Sequence, residues 1–393
     1  MSMEPAVIDA AEVSGGARSR ERPWRRAVLD SLAVLAVTRL LAFIVAWAAN
    51  WMTAATSRGP LPSGTFLASW NRWDAISYVQ IAQYGYFDPR THANSAAYFP
   101  GFPVALRGLG RLLGGRYILA ALVANVVLTG VALVYLHRLA DQEIGAGAGA
   151  RAVWYLGLFP VGVFLAAGYT EPMFLAGAFA AFYYGRRGEW WKAVLPGALA
   201  VGSRLTGLFV VVALGFEYMR QRRWDPRKIG PDVLALVVAV LPLVAFMAYL
   251  RWKVGNPLQF LTDQEFGWGR KLVGPWRAFR TTWAGATSQV QATNWVFSWR
   301  VEIAAAALGA WVGVVCLLRR WWTYAVYTLA FFAVLLSSTW YFSTPRMLLT
   351  LPPLFLIWAD LGANRWVHQA SLAAGAALMA LSVVVFTSGA WVS

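Results

Sequence analysis

Apolar runs close to the length of a bilayer-crossing helix recur along this chain, and they constrain its fold more than any other feature. They fall at about 27–52, 117–137, 152–168, 172–186, 190–203, 205–218, 233–251, 301–318, 321–338, 347–361 and 367–391. A helix needs about 20 residues to cross the hydrocarbon core. Backbone polar groups must be satisfied internally there, so such runs fold as helices. The expectation is an all-α polytopic membrane protein with about 11 transmembrane helices.

Charge supports that reading. Only 13% of the 393 residues are charged, against about 25% in soluble domains. The net charge is +16, yet the basic residues cluster between apolar runs rather than on one stretch. That is the positive-inside pattern, and nucleic acid is not expected as a partner. The single Cys316 lies in an apolar run and reads as a packed thiol. The first run starts near Ala27 and is too long for a removable signal.

Residues 1–26 read as a disordered basic cytoplasmic tail, and 27–393 as one transmembrane domain. Short basic loops at Arg138 and Arg151, Arg186 and Arg187, 219–228, Arg319 and Arg320, and Arg365 are placed in the cytoplasm. The N-terminus is then inside, and the long loops at about 53–116 and 252–300 are outside. The runs 172–186, 190–203 and 205–218 are short for spans. A turn near Gly202-Ser203-Arg204 is expected, sheltered by a cavity that opens to the outer face.

Acid–base chemistry on that face must draw on Asp74, Asp88, Glu171, Asp263, Glu265 or His92. The stretch from Trp70 to Tyr86 suits a short amphipathic helix with Asp74 in its first turn, where the dipole favours a carboxylate. Gly85 is placed to end it. Tyr98-Phe99-Pro100-Gly101-Phe102-Pro103 reads as a rigid aromatic turn. A second amphipathic stretch at about 102–115 carries Arg107 and Arg111 on one face. Both helices are expected to lie flat on the outer leaflet. Asp74 is either a catalytic carboxylate or only a helix-terminal one. Glu171, before Pro172, is either a cap or a cavity-lining acid that holds sugar hydroxyls or a cation. Arg204 and Arg346 lie between or before apolar runs, where arginine is costly and faces an anion or a cavity. Each can hold a phosphate bidentately; snorkelling or structural pairing are the alternatives. Arg39, inside the first run, reads as half of a structural ion pair. The stretch 259–271, with Asp263, Glu265, Trp268 and Arg270, reads as a sugar or phosphate contact surface or as a solvated loop. His92, His137 and His368 are scattered and no Gly-rich phosphate loop occurs, so no cofactor and no metal ligands are assigned, and a metal requirement is left open.

Trp73-Asp74-Ala75 with Tyr78, then Ile81-Ala82 and Gly85-Tyr86, then Tyr98-Phe99-Pro100, resembles the first luminal loop of the PIG-V family. Leu158-Phe159-Pro160, Tyr169-Thr170-Glu171-Pro172, Ser203-Arg204-Leu205-Thr206-Gly207, Trp268-Gly269-Arg270 and Pro345-Arg346 follow in that family's order. The resemblance implies a GT-C membrane glycosyltransferase fold. It implies inverting transfer of a sugar, mannose in this family, from a polyprenyl-phosphate donor on the non-cytoplasmic face. Asp74 matches the family's catalytic acid position. The donor-phosphate candidates are Arg346, Arg204 and Arg270; the substrate-contact candidates are Trp73, Tyr78, Tyr98, Glu171 and Trp268. A composition rich in Ala, Arg and Trp suits a high-GC bacterium, and hence the plasma membrane. The acceptor, a lipid or glycan, is not specified. A transporter or lipid flippase, and a non-enzymatic membrane scaffold, stay open as alternatives.

Overall fold

The structure is a computed structural model that describes residues 10–56 and 65–392, with side chains described for 23–52 and 66–392. Helix α1 (Ala10–Thr56) comes first. The first long loop folds into α2 (Thr65–Ser69), α3 (Asp74–Tyr84) and α4 (Gly101–Leu112). The long α5 (Tyr117–Glu143) follows, then α6 (Ala148–Gly157) and the one-turn α7 (Val163–Ala166). Three medium helices, α8 (Glu171–Arg186), α9 (Trp190–Ser203) and α10 (Gly207–Gln221), precede the long α11 (Leu234–Val254). The second long loop carries α12 (Gln259–Trp268) and α13 (Pro275–Ala286). The chain then runs through α14 (Thr293–Leu318), α15 (Trp322–Leu335), α16 (Thr344–Leu348), α17 (Pro352–Leu361) and α18 (Arg365–Thr387). Among the described residues there is no strand, only an antiparallel bridge between Leu272 and Ser338.

Five helical stretches have the length and apolar character to cross a membrane: residues 23–52, 117–143, 231–254, 293–318 and 365–387. The chain is a multi-pass membrane protein. The other apolar runs form shorter helices, and two expected spans are broken. Pro160 interrupts 152–168 between α6 and α7, and Pro352 starts α17 afresh after α16. Proline removes an N–H donor and disfavours helix in the residue before it. Of the expected disordered tail, residues 1–9 lie outside the described residues. From Ala10 the backbone is helical and continuous with the first apolar run, in keeping with its Ala, Glu and Arg content.

Nearly every residue of α8 is buried, as befits a helix that is apolar all round. Its approach to α9 depends on Gly177. A Cβ there would lie 2.5 Å from the Pro196 carbonyl oxygen and 2.7 Å from the Ala200 nitrogen. Arg39 is buried, but it forms no ion pair among the described residues. It donates to Thr129 Oγ1 (3.1 Å) and to the Leu165 carbonyl (2.9 Å). The broken α6–α7 segment leaves that carbonyl free to accept, so no carboxylate is needed. Asn125 donates to the carbonyls of Ala167 and Tyr169, which ties the turn before Glu171 to α5. The expected turn after α9 is present: Arg204 is extended (φ −167°, ψ 155°) and α10 begins at Gly207.

Candidate active site

A cavity of about 730 Å³ lies among α3, the α9–α10 turn, the end of α12, α15, α16 and Trp391. That is a volume typical of small-molecule sites. Asp74, Tyr78, Tyr98, Arg204, Trp268, Arg270 and Arg346 all line it. Glu171 and Trp73 do not.

Asp74 is the first residue of α3. The preceding Trp73 has a positive φ of 52°, a conformation that is costly for a bulky residue. The two side chains part there. Trp73 is 43% exposed and packs edge-on against Trp391 at 5.2 Å, so the expected substrate contact instead backs Trp391, which lines the cavity. Gly85, with φ 95°, ends α3 as expected.

Arg346 sits in α16 behind Ser343, which is also left-handed (φ 57°). The amides of Ser343 and Thr344 donate to the two carboxylate oxygens of Glu302, each at 2.7 Å. Glu302, buried in α14, thus fixes the turn that aims Arg346. From there Arg346 Nη1 reaches Asp74 Oδ2 (2.7 Å) and Nε reaches Glu171 Oε1 (2.5 Å). Its guanidinium lies over the rings of Tyr169 and Phe164 at 4.6 and 4.9 Å, a cation–π placement. Glu171 Oε1 also accepts from Arg204 Nη1 at 2.8 Å. Glu171 has no exposed surface. The expected cavity-lining acid is therefore a counter-ion packed behind the wall, holding two arginines in place. The network Asp74–Arg346–Glu171–Arg204 has two charges of each sign.

Arg270 breaks that balance. Its Nη2 donates to the Phe342 carbonyl (3.0 Å), its guanidinium faces the Phe342 ring at 5.6 Å, and its buried Nε has no partner. No carboxylate pairs with it among the described residues. Desolvation by burial pulls its pKa down from the ordinary value, although arginine remains charged. Lys271, next to it, is already paired with Glu265 at 2.6 Å. Glu302 is the carboxylate that acts on Arg270 most, but its oxygens are taken by the Ser343 and Thr344 amides, so the guanidinium keeps donors for an anion.

The other carboxylates of the two long loops are accounted for. Asp88 is held down at about pKa 2 by hydrogen bonds from exposed Arg90. Asp263 is buried, accepting from the Ala96 amide (2.9 Å) and from Gln259 Nε2 (2.8 Å), and so links the two long loops. Burial pushes the Tyr78 phenol up to about 12 and raises Tyr98 as well. Both stay protonated near neutrality, and Tyr98 donates to Asp74 Oδ1 at 3.4 Å. Of the groups lining the cavity, this leaves Asp74 and the rim residue Glu265 as proton acceptors. His92 meets Asn94 at 2.5 Å, away from the cavity. Among the described residues no group of three or more His, Cys, Asp or Glu side chains could hold a metal ion.

Sequence reasoning missed Glu302, Phe342 and Trp391. Trp391 stacks on Phe342 at 5.2 Å and lines the cavity; in sequence it is only one more aromatic after an apolar run.

Comparison with known proteins bears on this arrangement. A family model described as mannosyltransferase (PIG-V) matches residues 61–254. Over that stretch, about half of its length, the chain is similar to the PIG-V mannosyltransferases. GPI alpha-1,6-mannosyltransferase 2 of Mus musculus is 31% identical over 243 residues, 53% of this chain and 48% of the mouse protein. The Rattus norvegicus protein of the same name is 38% identical over 206 residues, 47% of this chain and 40% of its own. The chain thus matches less than half the length of these curated relatives. The PIG-V match includes Asp74, Tyr78, Tyr98, Glu171 and Arg204; Trp268, Arg270 and Arg346 lie beyond it. Among solved structures, ArnT from Cupriavidus metallidurans bound to undecaprenyl phosphate is 12% identical with a TM-score of 0.49, covering 91% of this chain and 76% of that one. A likeness of that depth decides nothing about the site.

Proposed function

We propose that this chain is a PIG-V-like inverting mannosyltransferase of the GT-C type in a bacterial plasma membrane. It would move mannose from a polyprenyl-phosphate donor to a lipid-linked or cell-envelope acceptor on the outer face. The observation that carries the reading is one cavity lined by a carboxylate, Asp74, and by a cation, Arg270, that has no direct ion-pair partner among the described residues.

The reaction needs three things. The acceptor hydroxyl must lose its proton, which Asp74 can accept. The bond from the sugar C1 to the lipid phosphate must break as the bond from C1 to the acceptor oxygen forms, and the electron pair leaves with the phosphate. That developing charge needs fixed donors, and Arg270 with Arg204 supplies them. A single displacement from the opposite face inverts C1. The prenyl chain needs an apolar exit, and Leu205, Leu208, Phe209, Phe331, Val334 and Leu335 line the same cavity between α10 and α15. Arg346 takes a different part from the phosphate ligand expected from sequence. It is bonded to two carboxylates, so it orients Asp74. The charged lining comes from helix ends and turns that the positive-inside reading puts on one side, which favours an enzyme over a transporter.

The test is transfer of radiolabelled mannose from polyprenyl-phosphomannose into a new product, using purified protein and a membrane lipid or envelope extract. Transfer that disappears in Asp74→Asn is expected. A folded parent that binds the donor but transfers nothing to any extract would overturn the proposal.

A further inference from the structure

A second cavity, about 480 Å³, lies on the other side of the α9–α10 turn. Gly202 lines this one, whereas Ser203 and Arg204 line the first. The partition is thin: a Cβ on Gly101 would sit 2.7 Å from the Gly202 carbonyl oxygen. Two glycine backbones in contact separate the chambers. One wall is a stripe of α11, formed by Pro242, Ala245, Phe246 and Tyr249. Because α11 belongs to a membrane-length stretch, that stripe runs at hydrocarbon depth. The lining is otherwise mostly apolar, from the end of α3 and the start of α4.

Arg107 is the charged residue in this lining. Its Nε donates to the Ala82 carbonyl (2.8 Å) and its Nη2 to the Ile81 carbonyl (3.1 Å). Among the described residues no carboxylate pairs with it, so its charge is not neutralised. An apolar groove at bilayer depth with an uncompensated cation at its edge fits an anionic amphiphile. The groove also stands in a fixed relation to the site. Asp74 opens α3 and the groove lies at its other end, and 11 residues put those ends about 15 Å apart at 1.5 Å per residue.

We propose that the groove seats the hydrocarbon chain of the acceptor, a phosphate-bearing membrane lipid. Its phosphate meets Arg107, and its polar end reaches along α3 to Asp74. This rests on the mannosyl-transfer reading above. The donor is placed in the first chamber, because its phosphate must lie at Arg270 with its chain leaving between α10 and α15. The two lipids therefore enter from opposite sides of the 202–204 turn.

The test uses the full chain in nanodiscs carrying a trace of phosphatidic acid with a diazirine in its acyl chain, or the matching neutral diacylglycerol. After illumination, adducts are mapped by mass spectrometry. Phosphatidic acid should label 100–107 and 242–249 about tenfold more than diacylglycerol does, the scale of one charge-assisted contact. Arg107→Gln should erase that preference. Ala245→Trp, filling the groove from an exposed position, should abolish groove labelling. Val237→Trp, on the same helix at 57% exposure and outside the groove lining, should leave it intact. In the transfer assay, Ala245→Trp should cut labelled organic-soluble product about tenfold. Labelling spread evenly over exposed helix faces, groove adducts undiminished in Ala245→Trp, or full transfer by that variant would each overturn the proposal. A parent that labels in the groove yet never turns over polyprenyl-phosphomannose would instead overturn the mannosyl-transfer reading.

Discussion

Glu171→Gln separates a buried counter-ion from a substrate contact. The amide keeps the size of the side chain and removes one charge. Glu171 Oε1 now accepts from Arg346 at 2.5 Å and Arg204 at 2.8 Å, with no surface exposed. After the change Asp74 is the one remaining carboxylate for two guanidinium groups, and a neutral network becomes +1. Removing one partner of a buried ion pair costs about 3–5 kcal/mol. Arg204 keeps 15% of its side chain exposed and the amide oxygen can still accept, so the low end applies, about 3 kcal/mol. That is roughly a hundredfold in the folded-to-unfolded ratio. The assay is denaturant titration in detergent micelles, followed by circular dichroism, with and without polyprenyl phosphate. The excess cation should recruit the anion, so the variant gains more from the ligand than the parent does. Full recovery would need about 100 times the dissociation constant, worth about 2.7 kcal/mol. A variant as stable as the parent, impaired only in its KM for acceptor, would refute the counter-ion argument.

Asp74→Asn should lose at least about 10²-fold in turnover, and Asp88→Asn should stay near the parent, in radiolabel transfer at matched protein; near-parental turnover by Asp74→Asn would end its assignment as base. Arg270→Ala should weaken polyprenyl-phosphate binding by about tenfold or more in calorimetry, with only partial rescue by Lys, which lacks the planar fork; an unchanged affinity would remove it from the phosphate site. Gly101→Ala should destabilise the protein by about 1–3 kcal/mol through overpacking against Gly202, read as a shifted denaturation midpoint. In a Cys316→Ser background, a cysteine at Leu272, which is 78% exposed, should react with impermeant reagent from outside; reaction only from the cytoplasm would invert the proposed topology.

Much of the fold was legible because bilayer-scale apolar runs leave few alternatives to helix. The break at Pro160 was legible in principle, since an apolar window hides a proline that the backbone does not ignore. Seven of the site residues converge because polar side chains flanking apolar runs must gather where water or protein covers them. What local pattern does not carry is direction. Trp73 and Asp74 part only through one positive φ. Glu171 sits in a plausible cavity turn, yet its carboxylate packs behind the wall because Arg204 and Arg346 meet there. Glu302 reads as a span-end carboxylate until α16 is seen folded against it. Arg39 shows the reverse error, because a broken helix offers carbonyls that no charge pattern reveals.

The contact between Arg346 and Asp74 joins residues 272 apart in sequence, and that between Arg346 and Glu171 joins residues 175 apart. At 5–20 residues per second, synthesis of the intervening chain takes roughly 15–55 s. Until Arg346 emerges, Asp74 has no cation in this network and Glu171 has only Arg204. An unpaired carboxylate at membrane depth is costly, so the early half of the chain must wait with its polar cleft open to water or shielded by the insertion machinery. The same ion pair that aims a carboxylate in the finished molecule can therefore close only when the chain has reached its last eighth.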